Sequence, residues 1–257
     1  MAQAPEDQAA QVAQAIEAGA PFALLPPLDL DAAYVVQDAL TRRRLGAAGM
    51  AGLAGYKLAF NSPAAMAHNG LHEPCIAPLY RQDIRQDGAT LRQAGFRALV
   101  VEPEIALELG ADLTGERPDR SAAMAALRGF RPAIEVMDHR GAFALAPSAA
   151  QAVAQGIFTA GAVLGPLVAP SRLAERHGME TALWLDERCI GRALDAAPQD
   201  PLDGLVWAAR ALAARGWPLT AGMILLCGTH LPVQAVNEPA SVRATIGDFG
   251  SVGFSLV

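Results

Sequence analysis

Val100-Val101-Glu102-Pro103-Glu104-Ile105-Ala106-Leu107-Glu108-Leu109 reads as a β-strand in which aliphatic residues alternate with carboxylates. Successive side chains of a strand point to opposite faces. Glu102 and Glu104 therefore share one face, while Ile105, Leu107 and Leu109 share the other. Like charges side by side on a sheet repel, so either water bathes this face or a cation compensates it. Water is the reading for an ordinary antiparallel sheet with one solvated side. A hard divalent ion with oxygen ligands is the reading if more carboxylates join. Glu135, in Pro132-Ala133-Ile134-Glu135-Val136-Met137, is such a carboxylate. The interval of about thirty residues suits a helical crossover to an adjacent strand. Pro103 lacks the ladder donor and argues for an edge or a bulge at this point.

The rest of the chain narrows the classes. Its 257 residues are 52% apolar, ample for a buried core, and carry a net charge of −6. Basic residues are dispersed apart from Arg42-Arg43-Arg44, which suits a helix C-terminus. Without a basic stripe to neutralise phosphates, nucleic-acid binding is not expected. No apolar run approaches the ~20 residues of a bilayer span, so no membrane partner is expected. The opening Met1-Ala2-Gln3-Ala4-Pro5-Glu6-Asp7 lacks the basic and apolar regions of a signal peptide. Cys75, Cys189 and Cys227 are too few and too far apart for a disulfide framework or a thiolate zinc site. A cytoplasmic, reducing setting follows as the expectation.

Working outward, residues 6–18 have helical periodicity, with Ala9, Val12, Ala13 and Ile16 on one face. Asp31 is read as the cap of a second helix carrying Ala33, Val36 and Leu40. Gly55-Tyr56-Lys57-Leu58-Ala59-Phe60 is a short buried strand. Lys is rarely buried without a partner, so Lys57 either snorkels to solvent or faces a carboxylate or an anionic ligand. Ser62-Pro63 caps and opens a short helix that Gly70 ends. A helix is expected over 119–128, another from Ser148 to Gly156, and a strand over 157–165. A hairpin is expected around Asp186-Glu187-Arg188, a strong amphipathic helix from Asp200-Pro201 to Gly216, and strands at 223–227, 242–246 and 252–256. Helices interleaved with strands that end in antiparallel runs predict an α+β fold with a mixed sheet. No Gly-rich nucleotide fingerprint follows a strand. The division expected is an N-terminal helical region over 1–60, packed on a catalytic mixed β-roll over 61–257.

Tyr34-Val35-Val36-Gln37, Gly55-Tyr56-Lys57-Leu58, Val101-Glu102-Pro103-Glu104-Ile105-Ala106, Ala133-Ile134-Glu135-Val136, Ala160-Gly161-Ala162-Val163-Leu164-Gly165 and Ile224-Leu225-Leu226-Cys227-Gly228 occur in that order. As an ordered set they resemble the 2-keto-4-pentenoate hydratase and 4-oxalocrotonate decarboxylase family of the fumarylacetoacetate hydrolase superfamily, from about Ala32 onward. The resemblance implies a mixed β-roll or sandwich core of the fumarylacetoacetate hydrolase C-terminal-domain type, homo-oligomeric assembly, and Mg²⁺ or Mn²⁺ held by Glu102, Glu104 and Glu135. It implies a metal-dependent hydro-lyase that hydrates a small 2-hydroxy-2,4-dienoate or 2-oxo-alkenoate. Alternatives are decarboxylation, acylpyruvate-type carbon–carbon hydrolysis, or a non-catalytic family member. Lys57 is the candidate acid/base, or the cation that fixes the substrate carboxylate.

The chain departs from the family pattern in several places. Where the family carries an Asp, Gln82 stands here with Asp83 next to it, and a one-residue insertion would make Asp83 the water-activating carboxylate. An Asp-Asn pair of the family corresponds to Gln155-Gly156, and Met223 replaces an Asp near Gly222. The family's Leu-Thr-Gly is Leu226-Cys227-Gly228, where Cys227 reads as a small packed hydrophobe. Among the histidines, His68 and His72 are separated by the helix-ending Gly70. His139 or Arg140 is a candidate to approach a substrate carboxylate, with a solvated loop as the alternative, and His230 is a candidate for the rim of the same cavity.

Overall fold

The computed structural model describes residues 3–113 and 118–257. Two helices lead: α1 (Pro5–Glu17) and α2 (Leu30–Leu45). Asp29 caps α2 rather than Asp31, its carboxylate accepting from Ala32 N at 2.9 Å. Asp31 falls two residues later, inside the first turn, where a carboxylate favours the positive end of the helix. Strand β1 (Leu53–Ala59), helix α3 (Pro63–His68, capped by Ser62) and strands β2 (Cys75–Tyr80), β3 (Ile84–Gln86) and β4 (Ala89–Leu91) follow. The acidic stretch is β5 (Leu99–Leu109), and Asp119 caps α4 (Arg120–Ala126), which runs directly into β6 (Leu127–Asp138). Helix α5 (Ala149–Ala154), strands β7 (Thr159–Leu164), β8 (Glu180–Leu185) and β9 (Arg188–Leu194), and helix α6 (Pro201–Ala214) come next. Strands β10 (Ile224–Leu226), β11 (Gln234–Ala235), β12 (Ala240–Ile246) and β13 (Gly250–Leu256) close the chain.

The larger sheet has the order β2-β1-β10-β5-β6-β7-β3, with β11 also paired to β5; the smaller runs β4-β13-β12-β8-β9. β1–β10, β3–β7 and β4–β13 are parallel and the remaining pairs antiparallel, which makes both sheets mixed as the sequence predicts. β5 and β6 are antiparallel neighbours, so the segment between them, α4 included, turns the chain back rather than carrying a parallel crossover. β1 lies inside the larger sheet between β2 and β10, so residues 53–59 pack with the core that follows them.

Period-two alternation decides what each face of the larger sheet buries. Leu99, Val101, Ile134, Val136 and Val163 on one face meet Leu183, Val242, Ala244, Val252 and Phe254 of the smaller sheet. Farther along that face, Tyr56, Leu58, Ile105 and Leu107 pack with Leu205, Ala208 and Leu212 of α6. Each fully buried leucine here contributes roughly 1.5–3 kcal/mol by leaving water. On the opposite face the residues are small: Ala106, Ala133 and Ala162 cluster with Leu226 and Leu164. α1, α2 and α5 close over this side by packing on Cys75 and Ala77, and Ala77 is the cross-strand partner of Lys57. Small residues lining one side and helices roofing it leave a hollow there.

Pro103 occupies the middle of β5, not an edge. The residue's carbonyl accepts from His230 N at 3.0 Å. N–H and C=O of one strand residue point to the same side. The missing donor therefore faces the gap between the end of β10 and the start of β11, and no ladder bond is lost.

Candidate metal centre and its cavity

The register of β5 and β6 sets Glu102 directly opposite Glu135, with Glu104 opposite Ala133. All three carboxylates project from the hollow face, and each offers an oxygen such that the three atoms lie within 4.8 Å of one another. Glu104 and Glu135 are fully buried. Glu104 Oε2 accepts from Gly228 N at 2.7 Å, while Glu104 Oε1 and Glu135 Oε2 are buried with no hydrogen-bond partner among the described residues. Unpaired buried carboxylate oxygens are costly, and three carboxylates converging, two of them with such an oxygen, are the donor set of a hard cation.

Electrostatics agree with the geometry. Burial, then the nearby Glu135, pushes the Glu102 carboxyl up to about 8 against the pull of Lys57. Glu104 is raised well above the usual carboxylate range by burial and by both neighbouring carboxylates. Burial raises Glu135 as well, opposed by Lys57. A group of like charges that resists ionising unless a cation compensates it suits a divalent site.

Lys57 points inward. Its ammonium forms an ion pair with Glu135, donates to Ile157 O at 3.0 Å and lies 3.2 Å from Met137 Sδ. The cross-strand row Lys57, Leu226, Ala106 runs from β1 to β5, and the alanine methyls leave room for the long side chain to cross. Gly55 fixes this approach. With φ +143°, it brings β1 so close to β10 that a Cβ would lie 1.9 Å from Ile224 O.

Lys57 and Glu102 line a cavity of about 470 Å³ whose walls include Phe60, Met137, Phe143, Ile157, Phe158 and Leu231. Its polar contributors are Asn61, Ser62, Thr229 and His230. Asn61 Nδ2 donates to Cys227 O at 2.8 Å, and Gly228, with φ +99°, has no space for a side chain beside Asn61 Oδ1, 2.4 Å from a notional Cβ. Ile157 and Phe158 both have positive φ, 48° and 61°. A β-branched residue in that region is strained, and here the strain turns the Ile157 carbonyl onto Lys57. It also delays β7 to Thr159, two residues later than the periodicity suggests.

Other expected residues lie elsewhere. Asp83 pairs with Arg44 at 3.2 Å and lines a separate cavity of about 280 Å³ with Arg85, Asp138, Arg140 and Gln155. The chain turns from β2 through a short 3₁₀ turn into β3 at this point, which directs Asp83 to the guanidinium of α2. Arg140 is buried and bonds to Ala20 O and Gln155 Oε1. Gln155 in turn donates to Ala23 O at 2.9 Å, so both tie down the N-terminal loop. His139 stacks on Phe143, with ring centroids 4.1 Å apart. Cys227 is 2% exposed and packs as a hydrophobe. The Asn61 amide, the Ile157 carbonyl and the Gly228 amide carried no periodic or charge signal in the sequence.

No helix of the described residues is long and apolar enough to cross a membrane. A 2-keto-4-pentenoate hydratase 2 from Dechloromonas aromatica is 31% identical over 97% of this chain and 96% of its own length. A 4-oxalocrotonate decarboxylase from a Pseudomonas species is 30% identical over 90% of each. Among solved structures, the 4-oxalocrotonate decarboxylase from Pseudomonas putida G7, complexed with magnesium and adipate, superposes with a TM-score of 0.87 at 22% identity, covering 98% of this chain and 97% of that one. Residues 64–257 match the family described as fumarylacetoacetate (FAA) hydrolase C-terminal. On that match, and on relatives aligned over nearly its whole length, the chain belongs to the fumarylacetoacetate hydrolase family.

Proposed function

We propose that the protein is a divalent-metal-dependent hydro-lyase that adds water to a small 2-hydroxy-2,4-dienoate or 2-oxo-alkenoate and yields a 4-hydroxy-2-oxo acid. The observation that carries this reading is the convergence of Glu102, Glu104 and Glu135 beneath a largely apolar cavity beside a buried lysine. The three carboxylates would hold Mg²⁺ or Mn²⁺, and the two buried oxygens without partners are the atoms an ion would satisfy. When bound, such an ion supplies Lewis-acid stabilisation of the charge that develops on a 2-oxo acid's keto oxygen.

The chain's own residues do the rest. Phe60, Ile157, Phe158 and Leu231 exclude water from around the carbon skeleton, which strengthens every polar contact at its head. Lys57, ion-paired with Glu135 at the cluster, would exchange a proton with substrate or hold its carboxylate. Asp83, in the neighbouring cavity beside Arg44, is assigned to support of the turn between β2 and β3. Homo-oligomeric assembly and a cytoplasmic location belong to the same reading by likeness to the family, and exposed Phe143 and Leu145 offer apolar surface for the former.

Decarboxylation is the second reading, favoured by the 4-oxalocrotonate decarboxylase relative, whose 30% identity is similar to the 31% of the hydratase relative. Product analysis with Mg²⁺-loaded protein separates the two. Hydration of 2-hydroxypenta-2,4-dienoate consumes the diene and keeps every carbon. Release of carbon dioxide from a 2-oxo diacid, with no hydration of any dienoate, would replace the first reading by the second.

A further inference from the structure

His230 is the titratable side chain on the cavity wall that makes no contact with Lys57 or the acidic cluster among the hydrogen bonds of the described residues. Resting on the hydration reading above, we propose that His230 carries the proton of that reaction, taking it from the attacking water and returning it to the substrate carbon beside the keto group.

Three observations place it for that work. The His230 backbone N–H donates to Pro103 O at 3.0 Å, between Glu102 and Glu104 in β5, which ties the residue to the strand that carries the cluster. Its Nδ1 lies 2.8 Å from Thr181 Oγ1, itself 1% exposed. Among the described residues its Nε2 has no hydrogen-bond partner and is not among the sealed unpartnered polar atoms, so on a residue that lines the cavity it is the ring atom left for a ligand. The pairing with Thr181 suits a proton carrier. The hydroxyl can accept from Nδ1–H, which leaves Nε2 bare to take a proton, and it still accepts from Nδ1–H once the ring is an imidazolium. Burial also pushes the imidazole down to about 4, so at neutral pH the ring enters the reaction uncharged. Lys57 is already committed to Glu135.

The step balances without an added reactant. As the water oxygen bonds to C4 of the 2-oxo-3-alkenoate, one water O–H bond breaks and Nε2 takes that proton. The C3=C4 electron pair is drawn toward the keto group and then returns to C3, where it takes the proton from the imidazolium. One water is consumed and His230 ends as it began.

The test uses full-length protein loaded with Mg²⁺ and 2-hydroxypenta-2,4-dienoate as substrate. H230Q is expected to lose about 100-fold or more in kcat, with KM and Mg²⁺-dependent oxalate binding within about threefold of the parent, and H230A to regain rate with free imidazole. H230Q turning over within about threefold of the parent overturns the proposal while leaving the hydratase reading intact. A parent that hydrates no dienoate overturns both, and shows it before any variant is made. Should H230Q lose oxalate binding, T181V takes its place. A tenfold or greater fall in kcat at unchanged KM supports the proposal, and parent-like kcat overturns it.

Discussion

Lys57 and Glu135 form an ion pair that water does not reach, each side chain being 1% exposed. The lysine crosses two intervening strands to make it, from β1 over β10 and β5 to β6. Removing one partner of such a pair leaves the other buried and uncompensated, at a cost of about 3–5 kcal/mol. K57M is therefore expected to lower stability by that order in metal-free protein, as read by urea unfolding, and to abolish turnover. The double variant K57M/E135Q should recover part of the lost stability. If K57M alone unfolds like the parent, the pair is not sealed in solution.

The metal prediction rests on Glu102, the carboxylate of the three that lines the open cavity. At a Mg²⁺ concentration about 100-fold above its dissociation constant, the parent should gain roughly 2.7 kcal/mol of stability. E102Q keeps the shape of the side chain but removes a charge and one donor oxygen, and should gain little or nothing. Calorimetric titration with Mg²⁺ alone checks this, and parent-like affinity in the variant would remove Glu102 from the ligand set.

Gly55 is a backbone determinant of the same centre. Any side chain there meets the Ile224 backbone, with the Cβ 1.9 Å from its oxygen, and must also accept φ +143°. G55A should force β1 away from β10 and carry Lys57 with it. A loss of about 3 kcal/mol or more is expected, together with weakened Lys57–Glu135 pairing. Soluble G55A with parent stability and activity would mean that β1 can shift without moving the lysine.

Much of this centre was readable from local pattern. Period-two alternation put Glu102 and Glu104 on one face, and the rarity of unpaired buried lysine made a carboxylate one of the partners open to Lys57, beside an anionic ligand or solvent. Ser62, Asp119, Ser148 and Asp200 cap helices by short-range hydrogen bonds, and such signals sit in a few adjacent residues. The less legible features depend on contacts between distant segments. The spacing of Glu104 and Glu135 fits an antiparallel return as well as a crossover, and only register shows that Glu102 faces Glu135. Pro103 in a central strand depends on a gap created by residues more than a hundred positions away. Left-handed Ile157 and Phe158 contradict their intrinsic preferences, because the fold uses that conformation to aim a carbonyl. Asp83 turns to Arg44 for a reason that lies in α2, outside its own stretch of sequence.

The raised carboxyls make the metal's effect depend on pH, with a definite sign. Glu102 titrates at about 8 in the folded protein against an ordinary 4.5, because of burial first and Glu135 second. Between these values the folded, metal-free protein holds a proton that the unfolded chain has released. Its contribution to stability is fully present below pH 4.5 and drains away as pH rises toward 8. Glu104 and Glu135, raised in the same direction, add to that drain. A divalent ion needs the carboxylates deprotonated, so its binding releases protons and tightens over the same interval. The difference in Tm between Mg²⁺ and EDTA should therefore widen steadily from pH 6 to pH 8, and calorimetry in buffers of different ionisation enthalpy should register proton release. In E102Q the widening should shrink. A Tm difference that stays constant across the interval would mean that the three carboxylates are already ionised without the ion, and that the cluster is open to water rather than buried beside Lys57.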